Sequence, residues 1–174
     1  MIKDVVLLAV SLLLIAAAVE DMARLRISNI FPLLVVGLYA VWVAVTGWEN
    51  DIWRNGTVFL AVFALGCGLF AMRWMGGGDI KLMSACALWF DWQGVVPWFV
   101  YITVGGGILA LLIIAGRRMV PQSVREGSSV ALFAQKGPIP YGVAIALGTI
   151  MALYMAGPNP SGVARLPDFI QGLR

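Results

Sequence analysis

Two aspartates, Asp21 and Asp79, lie at the edges of long apolar segments. An ionisable side chain is energetically costly there, so its presence indicates a function. Two carboxylates brought close together cannot both ionise cheaply, so one of them keeps a proton near neutral pH. The ionised carboxylate can take a proton from water while the protonated one donates to a carbonyl oxygen. Such a pair can hydrolyse a peptide bond without a metal, a cofactor or a covalent intermediate. Because the pair titrates as a unit, the sequence assigns neither role to either residue.

Asp79 ends the run Gly76-Gly77-Gly78-Asp79 and directly precedes the apolar segment Ile80–Phe90. Consecutive glycines adopt backbone conformations closed to other residues and let another part of the chain approach closely. At the start of a helix they also expose backbone N–H groups beside the carboxylate. The alternative is a flexible turn in which Asp79 does no more than cap the following helix.

Asp21 lies in a more polar stretch, which runs from Glu20 to Asn29. By itself this stretch could be a charged loop in which Ser28 or Asn29 caps the next helix. The remaining acidic residues are predicted to lie in tails or loops where water solvates them: Asp4, Glu49, Asp51, Asp91, Glu126 and Asp168.

The composition excludes several other kinds of chemistry. With no histidine among its 174 residues, the chain has no Ser-His or Cys-His catalysis and no histidine metal site. Cys67 and Cys86 lie within apolar runs and form no CxxC pair, so we predict packing roles for them and neither metal nor disulfide chemistry. No stretch alternates basic and aromatic residues in polar surroundings, so nucleic acid is not an expected partner.

The chain is also too apolar for a water-soluble domain. It is 61% hydrophobic and 12% charged, against about 45–50% and about 25% in a soluble domain. This excess indicates that lipid is the solvent. We therefore predict an all-α, polytopic membrane protein with one domain over residues 1–174. Its six predicted transmembrane helices are Val5–Val19, Ile30–Thr46, Thr57–Met72, Ile80–Phe90, Val95–Ala115 and Ile139–Ala156.

The basic residues predict the orientation of these helices. In a six-helix topology eight of them fall on one side of the membrane: Arg24, Arg26, Arg73, Lys81, Arg117, Arg118, Arg125 and Lys136. The other four, Lys3, Arg54, Arg165 and Arg174, fall on the opposite side. The positive-inside rule then places loops at about 20–29, 73–79 and 116–138 in the cytoplasm and both termini outside. Ala16–Ala18 resembles a signal-peptidase site, but the charge of Lys3 is cancelled by Asp4, so an uncleaved first helix is predicted.

Three segments together resemble the prepilin peptidase family. Asp21, followed by Arg26-Ile27-Ser28-Asn29, is similar to the first-aspartate motif of that family. The run Gly76–Asp79 matches its GxGD motif, with Lys81 where a lysine often follows. Gly137–Ala146 resembles its last-helix segment, and the similarity covers roughly Val5 to Ala156. Presenilin-like proteases share GxGD, but their Tyr-Asp and Pro-Ala-Leu motifs are not found in this sequence.

The resemblance implies an aspartyl endopeptidase of the bacterial inner membrane. Such enzymes remove the short basic leader of type IV prepilins and pseudopilins at the cytoplasmic face, alongside the pilus assembly machinery. By this resemblance Asp21 and Asp79 are the catalytic pair, with no cofactor or metal. Gly76 and Gly78 shape the motif loop, Asn29 supports the first-aspartate motif, and Lys81 is a further supporting residue. The chain lacks the added cytoplasmic region and four-cysteine zinc site of methylating members, as in the compact variety associated with Flp/Tad-type pili.

Other interpretations remain open. A small transporter could use Asp21 and Asp79 to relay protons or bind a cation. It would need further polar residues within the helices, which are sparse: Ser11, Ser84, Thr103 and Thr149. A non-catalytic assembly factor that keeps the fold is a third possibility, against which the intact aspartates argue. Glu20 either pairs with the basic leader of a substrate or is simply solvated.

Overall fold

The computed structural model describes residues 2–47, 52–119, 140–155 and 157–158. Within these ranges the chain forms six α-helices and no strand. The helices are α1 (Ile2–Arg24), α2 (Ile30–Thr46), α3 (Ile52–Ala71), α4 (Gly77–Ala87), α5 (Val95–Met119) and α6 (Tyr141–Met155). The prediction of an all-α protein is confirmed.

Three of these helices are long and apolar enough to cross a membrane: α1, α3 and the Val95–Ala115 part of α5. The apolar helices α2 and α6 are shorter, and α4 has only 11 residues. Large apolar side chains cover the outside of the bundle, as shown by Leu8, Leu60 and Leu111, which are more than half exposed. A surface of this kind suits lipid and not water, as expected of a polytopic membrane protein.

The short helix α4 lies inside the bundle. It packs against α2, α3 and α6, while α1 packs against α2 and α6, and α5 packs against α6. Seven residues of α4 are buried, namely Ile80 and all of Leu82–Ala87. Because the residues of α4 after Lys81 are apolar except for Ser84, that part of the helix can be enclosed by other helices. Its first turn, which carries Asp79, is thereby held at one end of the bundle interior.

Glycines bring two helix pairs into close contact. A Cβ atom at Gly66 of α3 would lie 2.5 Å from Cγ2 of Ile80 in α4. A Cβ atom at Gly148 of α6 would lie 2.6 Å from the Cα of Ile102 in α5. Small residues at such positions allow helix backbones to approach closely in membrane proteins.

Helix boundaries differ from the prediction around both aspartates. α1 continues past the predicted Val19 to Arg24, so Asp21 lies in its last turn and not in a loop. The residue after the helix, Leu25, has a left-handed φ of 52°, and its N–H donates to the carbonyl of Asp21. α4 begins at Gly77, so Asp79 lies in its first turn. The loops predicted at about 20–29 and 73–79 are therefore shorter than expected.

Other helix ends also differ from the prediction. α3 begins at Ile52 and not at Thr57, and its Asn55 is buried and donates to the carbonyl of Leu88 at 3.1 Å. α5 continues beyond Ala115 to Met119. The rest of the predicted 116–138 connection, and the beginning of the last-helix segment at Gly137, lie outside the described residues.

The prediction that water solvates Asp91 is wrong. This side chain is only 4% exposed. Its Oδ1 accepts hydrogen bonds from the backbone N–H groups of Gln93 at 2.9 Å and Gly94 at 2.8 Å, just before α5 begins at Val95. Asp91 therefore caps the entrance to α5, where a side-chain oxygen satisfies backbone donors that have no helical partner.

Candidate active site

Asp21 is held by a hydrogen bond from another helix. Its side chain is buried, and Oδ2 accepts a hydrogen bond of 2.8 Å from the backbone N–H of Gly142 in the first turn of α6. The residue before α6 is Pro140, whose side chain has no oxygen that could cap the helix. Asp21 thus supplies, from α1, an acceptor for one of the unpaired N–H groups at the start of α6.

Asp79 is partly buried and lies close enough to Asp21 for the two charges to interact. Burial is the main cause that raises the pKa of Asp79, to about 6, and the charge of Asp21 adds to the rise. A hydrogen bond from the backbone of Gly76 acts in the opposite direction. Asp79 can therefore keep its proton up to about pH 6, well above the range of an ordinary aspartate, as required of one member of an acid–base pair.

Both carboxylates line one open cleft of about 620 Å³. The ends of α1 and α3 and the beginnings of α4 and α6 form its walls. The other residues that line it are mainly apolar and aromatic, with one arginine: Leu25, Phe70, Ala71, Arg73, Trp74, Met75, Gly76 and Tyr141. Trp74 is 68% exposed and Tyr141 is 48% exposed. A cleft of this volume, with apolar walls and a few convergent polar groups, is typical of a ligand or substrate site.

The two glycines of the GxGD motif have different surroundings. Gly76 precedes α4 in an extended conformation, and a Cβ atom there would lie 2.8 Å from Oδ2 of Asp79. Gly78 lies within the first turn of α4, where a Cβ atom would lie 3.1 Å from the carbonyl oxygen of Ile27. Gly78 therefore belongs to the helix and not to a loop. Both positions allow a close approach that a larger residue would obstruct.

Asn29 and Lys81 are brought together although they are 52 residues apart in the chain. Nζ of Lys81 donates a hydrogen bond of 2.9 Å to Oδ1 of Asn29. Asn29 precedes α2 but makes no side-chain capping bond to it. The contact instead ties the turn between α1 and α2, just after Asp21, to the helix that carries Asp79.

Glu20 stabilises the turn after α1. Its carboxylate accepts hydrogen bonds from the backbone N–H of Ser28 at 3.0 Å and from the hydroxyl of Ser28 at 2.7 Å. Arg24 also approaches it, at 3.4 Å. The side chain is 16% exposed. Glu20 is therefore engaged within the chain, which differs from simple solvation.

Two residues of the site, Ile27 and Gly142, were not identified individually from the sequence. Ile27 is buried between Gly78 of α4 and Gly142 of α6, and a Cβ atom at Gly142 would lie 2.7 Å from its Cδ1. Both residues fall within motif segments that the sequence analysis identified. Neither segment, however, indicates locally that the two would meet.

These observations define a helical membrane protein with two carboxylates in one cleft. A family model described as the Type IV leader peptidase family matches residues 8–111. This match covers more than half of the chain, which therefore belongs to that family and is a leader-peptidase-like protease. The matched range includes Asp21, Asn29, Asp79 and Lys81, whereas α6 lies beyond it. Neither the curated proteins nor the solved structures gave a match.

Proposed function

We propose that this protein is an aspartyl endopeptidase in which Asp21 and Asp79 form the catalytic pair. Its proposed substrates are prepilin-like proteins of the Flp/Tad type, which it cleaves between the leader and the mature chain. The observation that carries the proposal is the cleft, to which two different helices each contribute one carboxylate. Membership of the leader peptidase family supports the substrate class.

The chemistry follows from one shared proton. The ionised carboxylate accepts a proton from a water molecule as the water oxygen attacks the scissile carbonyl carbon. The protonated carboxylate donates its proton to the carbonyl oxygen, which gives a neutral tetrahedral intermediate. The intermediate then collapses: the carboxyl that took up the proton from water donates it to the amine nitrogen, and the C–N bond breaks. The other carboxylate takes a proton from a hydroxyl of the intermediate, which releases the new carboxyl group and restores the pair. The proposed pair uses neither a cofactor nor a metal.

The position of the cleft supports cleavage at a membrane surface. Asp21 is near the end of α1 and Asp79 is at the start of α4. Arg24, Arg26 and Arg73 belong to the same helix ends, and basic residues favour the cytoplasmic side. We therefore propose a multi-pass protein of the bacterial inner membrane whose cleft opens to the cytoplasm, where it meets substrates of the pilus assembly machinery.

Cleavage of a defined substrate tests this proposal. The protein in lipid nanodiscs would be mixed with a Flp-type prepilin encoded in the same genome, and mass spectrometry would locate the cut. We expect one cut, between the basic leader and the apolar segment, and no cut by the Asp21→Asn/Asp79→Asn double variant. Cleavage by a correctly folded double variant would show that the aspartates are not the catalytic groups.

Proton or cation transport is the alternative use of the same pair. A transport path needs polar groups beyond Asp79, yet the buried side chains that follow it in α4 are apolar except for Ser84. The hydroxyl of Ser84 donates to the carbonyl of Ile80 at 2.8 Å, within its own helix. The described part of α4 therefore favours a peptidase. Proton uptake by proteoliposomes that depends on both aspartates, with no cleavage of any prepilin, would reverse this preference.

A further inference from the structure

The hydrogen bond between Gly142 and Asp21 makes the two carboxylates unequal. Asp21 receives an N–H from the beginning of a different helix, α6, at 2.8 Å. A backbone N–H directed at a carboxylate stabilises its ionised form, and the N-terminus of a helix adds a favourable partial positive charge. Asp79 also lies at the N-terminus of a helix, its own, and accepts a hydrogen bond from the backbone of Gly76, but burial and the charge of Asp21 outweigh that bond and raise its pKa.

We propose that Gly142 is a positioning residue that keeps Asp21 as the ionised, water-activating member of the pair and leaves Asp79 to carry the proton. This inference rests on the proposed function and assigns the two roles within it. The contact that separates the two roles joins residues 121 positions apart, so no local sequence signal indicates it.

The charges around Asp21 explain why this N–H is needed. Burial opposes the ionisation of Asp21 most, and two neighbouring acidic side chains add to this effect, Glu20 on its own helix and Asp79 on α4. Glu20 is engaged by Ser28 and Arg24, which moderates its effect. In the cleft the other titratable side chains are those of Arg73 and Tyr141. The N–H of Gly142 donates a hydrogen bond directly to the carboxylate of Asp21, and this bond favours the charged form of Asp21.

Steric constraints show why the donor is a glycine. A Cβ atom at position 142 would lie 2.8 Å from Oδ2 of Asp21 and 3.1 Å from its Cβ. It would also lie 2.7 Å from Cδ1 of Ile27, the end of a flexible side chain that can move. Alanine is otherwise preferred to glycine within a helix. An alanine at position 142 would displace the carboxylate of Asp21 and break the hydrogen bond.

The test compares Gly142→Ala with a packing control, Gly148→Ala, in the cleavage assay at several pH values. A Cβ atom at Gly148 would meet the backbone of Ile102, so this variant disturbs the same helix away from Asp21. For Gly142→Ala we expect kcat to fall by roughly 100-fold, as for a misplaced reacting group, with little change in KM. The acid limb of its pH profile should move up by about one pH unit, since Asp21 then ionises less readily. Gly148→Ala should keep the wild-type pH profile.

Two further variants separate the contact with Asp21 from the fit against Ile27. Adding Ile27→Ala to Gly142→Ala removes the Ile27 clash and leaves the one with Asp21, so activity should stay low. Incorporating glycolic acid in place of Gly142 converts the amide to an ester, which removes the N–H and adds no side chain. The ester should shift the acid limb in the same direction, even if Gly142→Ala does not fold.

The outcomes distinguish this inference from the proposed function. If Asp21→Asn and Asp79→Asn are inactive but the ester and folded Gly142→Ala keep the wild-type kcat and pH profile, only the role of Gly142 is refuted. Full recovery by Ile27→Ala would likewise refute it, because crowding of Ile27 would then explain the loss. If the two Asn variants remain active, the proposed function fails and the inference fails with it.

Discussion

Asp79 should lower the stability of the wild-type protein at neutral pH, and Asp79→Asn should relieve this cost. The pKa of Asp79 rises from 3.8 to about 6 in the folded protein, mainly through burial. A difference of about two pH units corresponds to about 3 kcal/mol. Because the side chain is only partly buried, solvent screening reduces the expected gain to about 1–3 kcal/mol. Asparagine keeps the shape of the side chain without the charge.

The sign of the effect depends on pH. A raised pKa means that the folded protein favours the protonated form, so this favourable contribution is fully present below pH 3.8 and is lost as pH rises through about 6. Asp79→Asn and wild type should therefore be closest in stability at acidic pH. Above about pH 6 the variant should melt higher by roughly 2–10 °C, given the usual shift for a chain of this size.

Thermal unfolding in one detergent, followed by tryptophan fluorescence from pH 4 to pH 8, measures this difference. Asp91→Asn is a matched control, because Asp91 is also buried but caps α5 through Oδ1, an acceptor that asparagine retains. A gain for Asp79→Asn that does not change with pH would contradict the reasoning. So would a loss of stability at pH 8.

Three further predictions concern the same region. Lys81→Met and Asn29→Ala should each lower the free energy of unfolding by up to about 1 kcal/mol in thermal unfolding, because each removes the same exposed hydrogen bond. The double variant should therefore be no less stable than either single variant. In the cleavage assay, kcat/KM of wild type should fall as pH rises through about 6, because Asp79 must hold its proton; a constant value up to pH 9 would contradict this. Gly66→Ala should destabilise the protein by about 1–3 kcal/mol through overpacking against Ile80. In the Ile80→Ala background Gly66→Ala should cost less than in wild type, and an equal cost in both backgrounds would show that the contact is not the cause.

Parts of the fold could be predicted from local sequence signals. The bounds of α2 agree with the prediction, since an apolar run extends between Asn29 and Gly47, and Gly47 ends the helix with a φ of 96°. The start of α4 was placed too late because consecutive glycines disfavour a helix. In the structure, burial of α4 and the close approach of Ile27 to Gly78 override that local preference.

The candidate pair could be predicted because an acidic residue at an apolar edge is unusual in itself. The contacts around the pair could not, since they join residues that are distant in sequence. Nothing local indicates that the N–H of Gly142 meets Asp21, or that Lys81 reaches Asn29. The hydrogen bonds from Ser28 to Glu20 likewise depend on where α1 ends, and the apolar run placed that end too early.

The central claim is that Asp21 and Asp79 act together as the catalytic pair. Its most direct test is the rate of leader removal by three single variants, Asp21→Asn, Asp79→Asn and Asp91→Asn, purified in parallel and matched for folding. We predict that the first two lose at least about 1,000-fold in kcat, because each removes one partner of a single proton-transfer unit, while Asp91→Asn stays within about twofold of wild type. Comparable cleavage by all three variants would contradict the account.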